Sequence, residues 1–373
     1  MHKPSKESIS TIIKVLGLLL FLYLFLLSIE LMADSFKMFG NDFAVKLFTL
    51  TSNPLIGLFI GILATSLVQS SSCTTSITVG MVAAGCLPIR GAIPIIMGAN
   101  IGTTVTNTLV SLAHITRPTE FKRAFAGAII HDVFNLLSVL LFLPLESFTH
   151  YLEHTAVFLS DIFCGIGGFK AVSPLKVILS PIANLVLSGF SAIIPNPKIA
   201  GAIALVFALG LLFIALSRLV KLMKSIIVGK IERLLHEYLF AKPLRSLVLG
   251  VIITAIVQSS SAVTSLVVPL VGAGILSIEQ VFPYTIGANI GTTITALLAA
   301  LVTQSPAAIA TAFVHLLFNL SGMMIWYPLR RVPIAIAKAI TRFVTKKKYF
   351  ALIYIGLMFY GIPLLLIFLT EGF

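Results

Sequence analysis

The sequence predicts an all-α polytopic membrane protein made of two inverted repeats, each with a re-entrant helical hairpin and a broken helix. Three observations carry this. Hydrophobic residues make up 58% of the chain, charged residues only 10%, and mean hydropathy is +1.07. That leaves too little charge to cover the surface of a soluble protein. The net charge of +13 could suggest nucleic acid, but the Lys and Arg residues lie in short runs between apolar stretches. Loops held on the cytoplasmic side of a membrane show that distribution. Finally, residues 69–106 (QSSSCTTSITVGMVAAGCLPIRGAIPIIMGANIGTTVT) align without a gap on residues 258–295 (QSSSAVTSLVVPLVGAGILSIEQVFPYTIGANIGTTIT). More than half of the positions are identical, including all of QSSS and GANIGTT. Self-similarity at so long a period marks a duplicated half-protein and not a solenoid.

The first repeat is assigned to residues 1–143. Lys3, Lys6 and Lys14 precede an apolar run at 15–29, read as a membrane span and not as a cleaved leader, because no small-residue cleavage site follows. Residues 34–53 carry Asp34, Lys37, Asp42 and Lys46 and form a mixed-charge connection. In 54–85, two apolar arms flank QSSS. Each arm is too short to cross about 30 Å of hydrocarbon at about 1.5 Å per residue, so the stretch reads as a hairpin that enters and leaves on one side. A polar tip at that depth must be buried in protein or face a water-filled cavity. Residues 89–113 are expected to form a span unwound at Gly98 and Gly102. A third span at 124–143 carries His131 and Asn135 four residues apart, on one helical face.

Residues 144–198 are the divergent middle, placed outside for their lack of basic excess; within them 172–194, apolar but broken by prolines, reads as an interfacial helix pair and not as a span. The second repeat, 199–328, reuses the plan: a span at 199–217, the hairpin 244–275, a broken span at 278–302, and a span at 306–328 with His315 and Asn319. Residues 329–373 hold a basic cytoplasmic segment, including Lys346–Lys348, and a final span at 349–370 that leaves the C-terminus outside and the N-terminus inside. Each repeat then crosses three times. An odd number inverts the second repeat, so the two QSSS tips approach the midplane from opposite sides, the arrangement of secondary transporters.

Polar residues inside apolar sequence call for a functional explanation. A half-helix starting within the bilayer points free N–H groups and its positive dipole end at the cavity, an anion site that needs no Lys or Arg. Hydroxyls supply donors that rotate to fit an oxyanion. Substrate contacts are therefore assigned to Ser70, Ser71, Ser72, Ser259, Ser260, Ser261, Thr103, Thr104, Thr292 and Thr293. Neutral oxygens suited to sodium are assigned to Gln69, Ser72, Thr74, Thr75, Asn100, Gln258, Ser261, Thr264 and Asn289. His131, Asn135, His315 and Asn319 are assigned supporting roles, fixing helix contacts near the site. Thr74 and Cys73 stand where the second copy has Val263 and Ala262, and Asn107 where it has Ala296, so the first repeat is expected to contribute more to sodium. The competing explanation is that Ser, Thr and Gly serve close helix packing. Packing alone leaves two identical motifs at one register unexplained. Cys73, Cys86 and Cys164 have no metal-ligand spacing, and no disulfide, metal or cofactor is assigned. No G-x-S-x-G elbow supports an intramembrane serine hydrolase using Ser71 or Ser260, and paired re-entrant tips would block a passive channel.

QSSS, AIPIIMGANIGTTVTNTLVSL, RAFAGAIIHDVFNLLSVLLFLPLE, TAIVQSSS and HLLFNLSGMMIWYP resemble the type II sodium-dependent phosphate cotransporters, over nearly all of both repeats. The resemblance implies sodium-coupled uptake of inorganic phosphate, with both QSSS regions forming the substrate and sodium sites. It also implies a compact bacterial member in the inner membrane. The large loop of animal members is short here and has the single cysteine Cys164, so their disulfide-bonded loop is absent. A sodium-coupled carrier of sulfate or a dicarboxylate is the alternative, since helix N-termini and hydroxyls bind any small anion.

Overall fold

A computed structural model of the chain describes residues 6–166, 174–238 and 242–370. The described residues form helices joined by short turns. In order these are α1 Lys6–Lys37, α2 Asn41–Thr51, α3 Pro54–Val68, α4 Ser71–Ala83, α5 Ile89–Gly102, α6 Val105–Ser111, α7 Pro118–Thr149, α8 Tyr151–Ile166 and α9 Pro174–Ile193. The second half follows with α10 Pro197–Tyr238, α11 Pro243–Val257, α12 Ser260–Ser265, α13 Val267–Gly272, α14 Ile278–Thr303, α15 Pro306–Trp326, α16 Arg331–Val344, α17 Lys348–Gly356 and α18 Ile362–Thr370. Seven stretches among the described residues are long and apolar enough to cross a membrane: Ile13–Lys37, Ile89–His114, Pro118–Thr149, Pro197–Leu222, Ile278–Thr303, Pro306–Trp326 and Lys348–Thr370. These are the seven expected spans.

Both QSSS stretches break a helix in the same way. Asn53 caps α3 by accepting from the Leu55 amide, and Pro54 occupies the first helical turn. The helix ends at Gln69, which takes a left-handed conformation (φ 55°). Ser70 is extended, and its Oγ accepts from the Cys73 amide to start α4. The second copy repeats these steps except the side-chain cap, its N-cap being Lys242: Pro243 opens α11, Gln258 is left-handed (φ 58°), and Ser259 caps α12 by accepting from the Ala262 amide. Across the first break, Thr65 Oγ1 donates to Thr74 Oγ1 at 2.9 Å. Nine residues of continuous helix would separate these groups by about 13 Å, so the chain turns back on itself as a hairpin.

The GANIGTT stretches differ from expectation. Their glycines do not unwind the helix; they let it touch the hairpin arm backbone to backbone. A Cβ on Gly98 would run into the Leu58 carbonyl, and a Cβ on Gly287 into the Leu247 carbonyl. Gly61 meets the Ile95 carbonyl, and Gly250 meets the equivalent Tyr284 carbonyl. GANIG is thus a G-x-x-x-G contact, a device that brings membrane helices close enough for dispersion and Cα–H contacts to hold them without a hydrophobic driving force. α14 runs unbroken through Asn289 and Thr293, and in the first copy only Thr103 and Thr104 interrupt the helix, between α5 and α6. The broken span expected at 278–302 is therefore continuous, and that at 89–113 is only irregular.

Two further boundaries move. α10 does not stop at 217 but continues through the basic run to Tyr238, with no proline between Pro197 and Pro243 to end it. α1 continues past 29 to Lys37, burying Leu31, Met32, Ala33 and Phe36. In the middle segment the pair of helices expected within 172–194 is a single helix, α9, which runs through Pro181, while α8 precedes it; residues 167–173 lie outside the described residues. α9 packs on α1 and α10, where Leu179 and Ala183 join Phe25, Ile29, Met32, Leu212 and Ala215 in one apolar cluster. α16 is amphipathic: Ile334, Ala337, Thr341 and Val344 are buried, while Lys338 and Arg342 face out.

Candidate functional site

The two tips meet. Ser72 Oγ donates to the Gln258 carbonyl at 3.0 Å, joining the first QSSS directly to the second. Around this contact is a cavity of about 190 Å³ lined by Gln69, Ser70, Ser72, Cys73, Gln258 and Ser259, with Phe213, Leu216, Ser217 and Val220 of α10 as its wall and Val68 closing it. Among the described residues no Lys or Arg lines it. At about 30 Å³ per water, it has room for one small oxyanion that keeps part of its hydration. Both left-handed glutamines place α4 and α12 so that their first turns start at the cavity, where free N–H groups and the positive dipole ends favour an anion.

Of the ten residues assigned to substrate, Ser70, Ser72 and Ser259 line this cavity. Ser71, Ser260 and Ser261 occupy the adjoining first turns of α4 and α12, with Ser261 Oγ 3.3 Å from Ser259 Oγ. The four threonines lie elsewhere, on α14 and between α5 and α6. Thr104, Thr292 and Thr293 bond back to the Ile101, Ala288 and Ile290 carbonyls, while Thr103 Oγ1 is buried without a partner. Of the sodium assignments, Gln69, Ser72 and Gln258 are at the tips, and Gln258 Oε1 is buried and unpartnered. Thr75 bonds to the Ser71 carbonyl, Thr74 engages Thr65, and Asn100 Nδ2 donates to the Ile96 carbonyl.

Asn289 and Thr264 belong to a buried relay that joins the two halves. Thr264 Oγ1 donates to Asn107 Oδ1 (3.0 Å), and Asn107 Nδ2 donates to His131 Nδ1 (3.3 Å). His131 Nε2–H then donates to Asn289 Oδ1 (2.5 Å), Asn289 Nδ2 to Asn135 Oδ1 (2.7 Å), and Asn135 Nδ2 to the Asn100 carbonyl (2.6 Å). Because Nδ1 accepts from an amide, the ring is the neutral Nε2–H tautomer, while the Thr264 hydroxyl shares its proton between Asn107 and the Ser260 carbonyl at 2.8 Å. The pair on α7 thus positions the asparagine of the other half's GANIGTT, and Asn107 ties both to the second hairpin. On this side His131 and Asn135 therefore tie α7 to α14 and α5. The second pair differs: His315 Nδ1 and Nε2 and Asn319 Oδ1 are buried with no partner, and Ala296 stands where the first half has Asn107.

Sequence reasoning passed over Asp132. Its carboxylate is fully buried, and Oδ2 accepts from Tyr354 Oη (2.9 Å) and Thr108 Oγ1 (3.4 Å), while Oδ1 is unpartnered. The signal was present: HDVFNL places an acidic residue where HLLFNL has Leu316, inside an apolar span. Like Gln258 Oε1 and Thr103 Oγ1, its Oδ1 is a buried oxygen without a partner. A separate group of Glu146, His150 and Glu153 is already engaged. Glu146 caps α8 by accepting from the Leu152 (2.7 Å) and Glu153 amides, and Glu153 pairs with Arg90 at 2.7 Å.

The chain matches the Na+/Pi-cotransporter family over residues 24–171 and 211–366. It belongs to that family. It is 37% identical to sodium-dependent phosphate transport protein 2A of Ovis aries over 95% of this chain and 67% of the relative. Against protein 2B of Pongo abelii it is 35% identical, over 96% of this chain and 65% of the relative. The Homo sapiens 2B protein is 34% identical over the same shares. This chain therefore spans about two thirds of the length of those relatives. No solved structure matches it.

Proposed function

We propose that this protein is a secondary active transporter that couples inward sodium movement to uptake of inorganic phosphate by alternating access. The observation that carries the reading is the contact between the two QSSS tips, in a cavity that offers hydroxyls, amides and helix N-termini and no fixed positive charge. A divalent anion is poorly held by neutral dipoles alone at low dielectric. Cations bound alongside offset its charge, and ion and substrate then stabilise each other's occupancy. The names of the similar 2A and 2B proteins support sodium as the driving ion and phosphate as the cargo.

In this reading, substrate contacts fall to the serines of both tips, with Thr103, Thr104, Thr292 and Thr293 closing on it in other states of the cycle. Sodium is held by tip glutamines and hydroxyls, with Asn100 and Asn289 holding the surrounding helices. Residues 1–143 and 199–328 are the two repeats, inverted across the membrane, and 144–198 connect them on the outside. The basic segments 117–123, 218–245 and 330–348 put the N-terminus inside and the C-terminus outside, in a bacterial plasma membrane. Radiolabelled phosphate uptake into proteoliposomes tests the function. Uptake should require an inward sodium gradient and should be inhibited by arsenate far more than by sulfate. Equal uptake in choline medium, or equal competition by sulfate or a dicarboxylate, would overturn it in favour of another carrier.

A further inference from the structure

A group of basic residues that the transport reading leaves unused lies around α16. A cavity of about 570 Å³ opens there between the start of α7, the α13–α14 turn and α16. Lys122, Arg123, Lys338 and Arg342 line it, over an apolar floor that includes Val271 and Leu276. Lys338 pairs with Glu279 at 2.6 Å, and Arg123 Nε donates to the Gly272 carbonyl. Lys122 and Arg342 have neither an acid nor an acceptor among the described residues. Thr341 also lines the cavity; it is only 2% exposed, and its Oγ1 has no partner. α14 begins at the same cavity, bringing the positive end of its dipole. A second cavity on the other flank of α16, of about 550 Å³, continues the positive field with Lys242, Arg330 and Arg331.

We propose that the cavity between α7, α14 and α16 binds the phosphodiester headgroup of an anionic phospholipid from the leaflet on which α16 lies. Unpaired cations and an orphan hydroxyl together make a phosphate-oxygen site; the α14 N-terminus adds only its dipole, since a Ser277–Gln280 capping box already engages its end and Glu279 lies in its first turn. A free phosphate ion would need no apolar floor, whereas a lipid needs both parts: charge for the headgroup and carbon for the glycerol and first acyl methylenes. The same end carries the marks of headgroup depth. Phe343 is 60% exposed and Tyr349 48% exposed, with Lys346 and Lys347 each 5.8 Å from one of those rings. Exposed aromatics and long cationic side chains settle at the membrane–water boundary. α16 lies along it with its buried stripe inward, and basic pockets between helices at that depth recognise anionic headgroups.

The test reconstitutes the full chain in dioleoylphosphatidylcholine nanodiscs with rising dioleoylphosphatidylglycerol and counts retained lipid by native mass spectrometry. The protein should retain phosphatidylglycerol over phosphatidylcholine by at least about ten-fold, equivalent to about 1.4 kcal/mol. Lys122→Gln with Arg342→Gln should bring the ratio near one while sodium-driven uptake in phosphatidylcholine vesicles is unchanged. Thr341→Val, nearly isosteric, should lower retention several-fold without touching a charge. The pair Lys346→Gln and Lys347→Gln, outside the cavity, should not. No preference in the unaltered protein, displacement of the lipid by millimolar inorganic phosphate, or equal loss in the Lys346/Lys347 pair would each overturn the proposal.

Discussion

Replacing Thr74 by Val separates a coordinating role from a packing role, because the structure supplies both a partner and a natural comparison. Thr74 Oγ1 accepts from Thr65 Oγ1 at 2.9 Å, and Thr65 is fully buried. Thr74→Val leaves the Thr65 hydroxyl without a partner, at a cost of about 1–2 kcal/mol of stability, of which a double replacement should recover most, since both polar groups are then gone. The second hairpin already shows the single-replacement arrangement: Val263 stands opposite Thr254, whose Oγ1 is buried and unpartnered. Thr74→Val should therefore lower the thermal midpoint by about 2–4 °C, and Thr65→Val with Thr74→Val should restore it. If Thr74 also offers its remaining lone pair to sodium, half-maximal uptake should need about ten-fold more sodium, since a lost ligand of about 1.4 kcal/mol is one decade. That shift should persist in the double variant, with phosphate dependence at saturating sodium little changed. Val263→Thr should gain a partner for Thr254, raise the midpoint slightly and leave sodium dependence alone. Sodium dependence that recovered together with stability in the double variant would show that Thr74 holds the hairpin arms and no ion.

Gly98→Ala and Gly287→Ala should each cost about 3 kcal/mol or more, because the new methyl lands on a carbonyl oxygen of a packed backbone; size-exclusion profiles and thermal midpoints read this. Gly210→Ala on α10, with nothing within 4 Å of the new methyl, should be neutral to stabilising, and an equal loss there would refute the contact argument. His131→Leu should destabilise by about 2–4 kcal/mol by stranding the amides of Asn107 and Asn289 in the interior. His315→Leu, which removes two unpartnered nitrogens, should cost less than about 1 kcal/mol in ion-free buffer; the reverse order in thermal midpoint would mean that the relay is not what holds α7 and α14. In a cysteine-free background, Ser147→Cys should label from outside and Lys221→Cys from inside with an impermeant maleimide. Labelling of both from one side would remove the inverted topology.

The amino-acid sequence by itself determined the class, the seven apolar stretches long enough to cross a membrane and the duplication of the QSSS and GANIGTT motifs. Each rests on composition, on the length of apolar runs or on register, and these survive any detail of packing because about 30 Å of hydrocarbon enforces them. The QSSS breaks were legible because a polar tip between two short apolar arms has few folded solutions. What the glycines of GANIGTT do was decided only by tertiary structure. Gly98 and Gly287 are equally compatible with an unwound segment and with close backbone contact, and the choice depends on whether a carbonyl such as that of Leu58 or Leu247 arrives opposite them. The same holds for His131 and His315, identical in local sequence spacing. One closes a relay because Asn107 and Asn289 come from distant segments, while the other faces no such partner. Asp132 was visible as a lone acid in an apolar span, but its importance depends on Tyr354, more than two hundred residues away, reaching the same carboxylate. Local pattern specifies where the chain must cross and turn; which polar groups meet at those turns is set by contacts between segments that the linear order keeps apart.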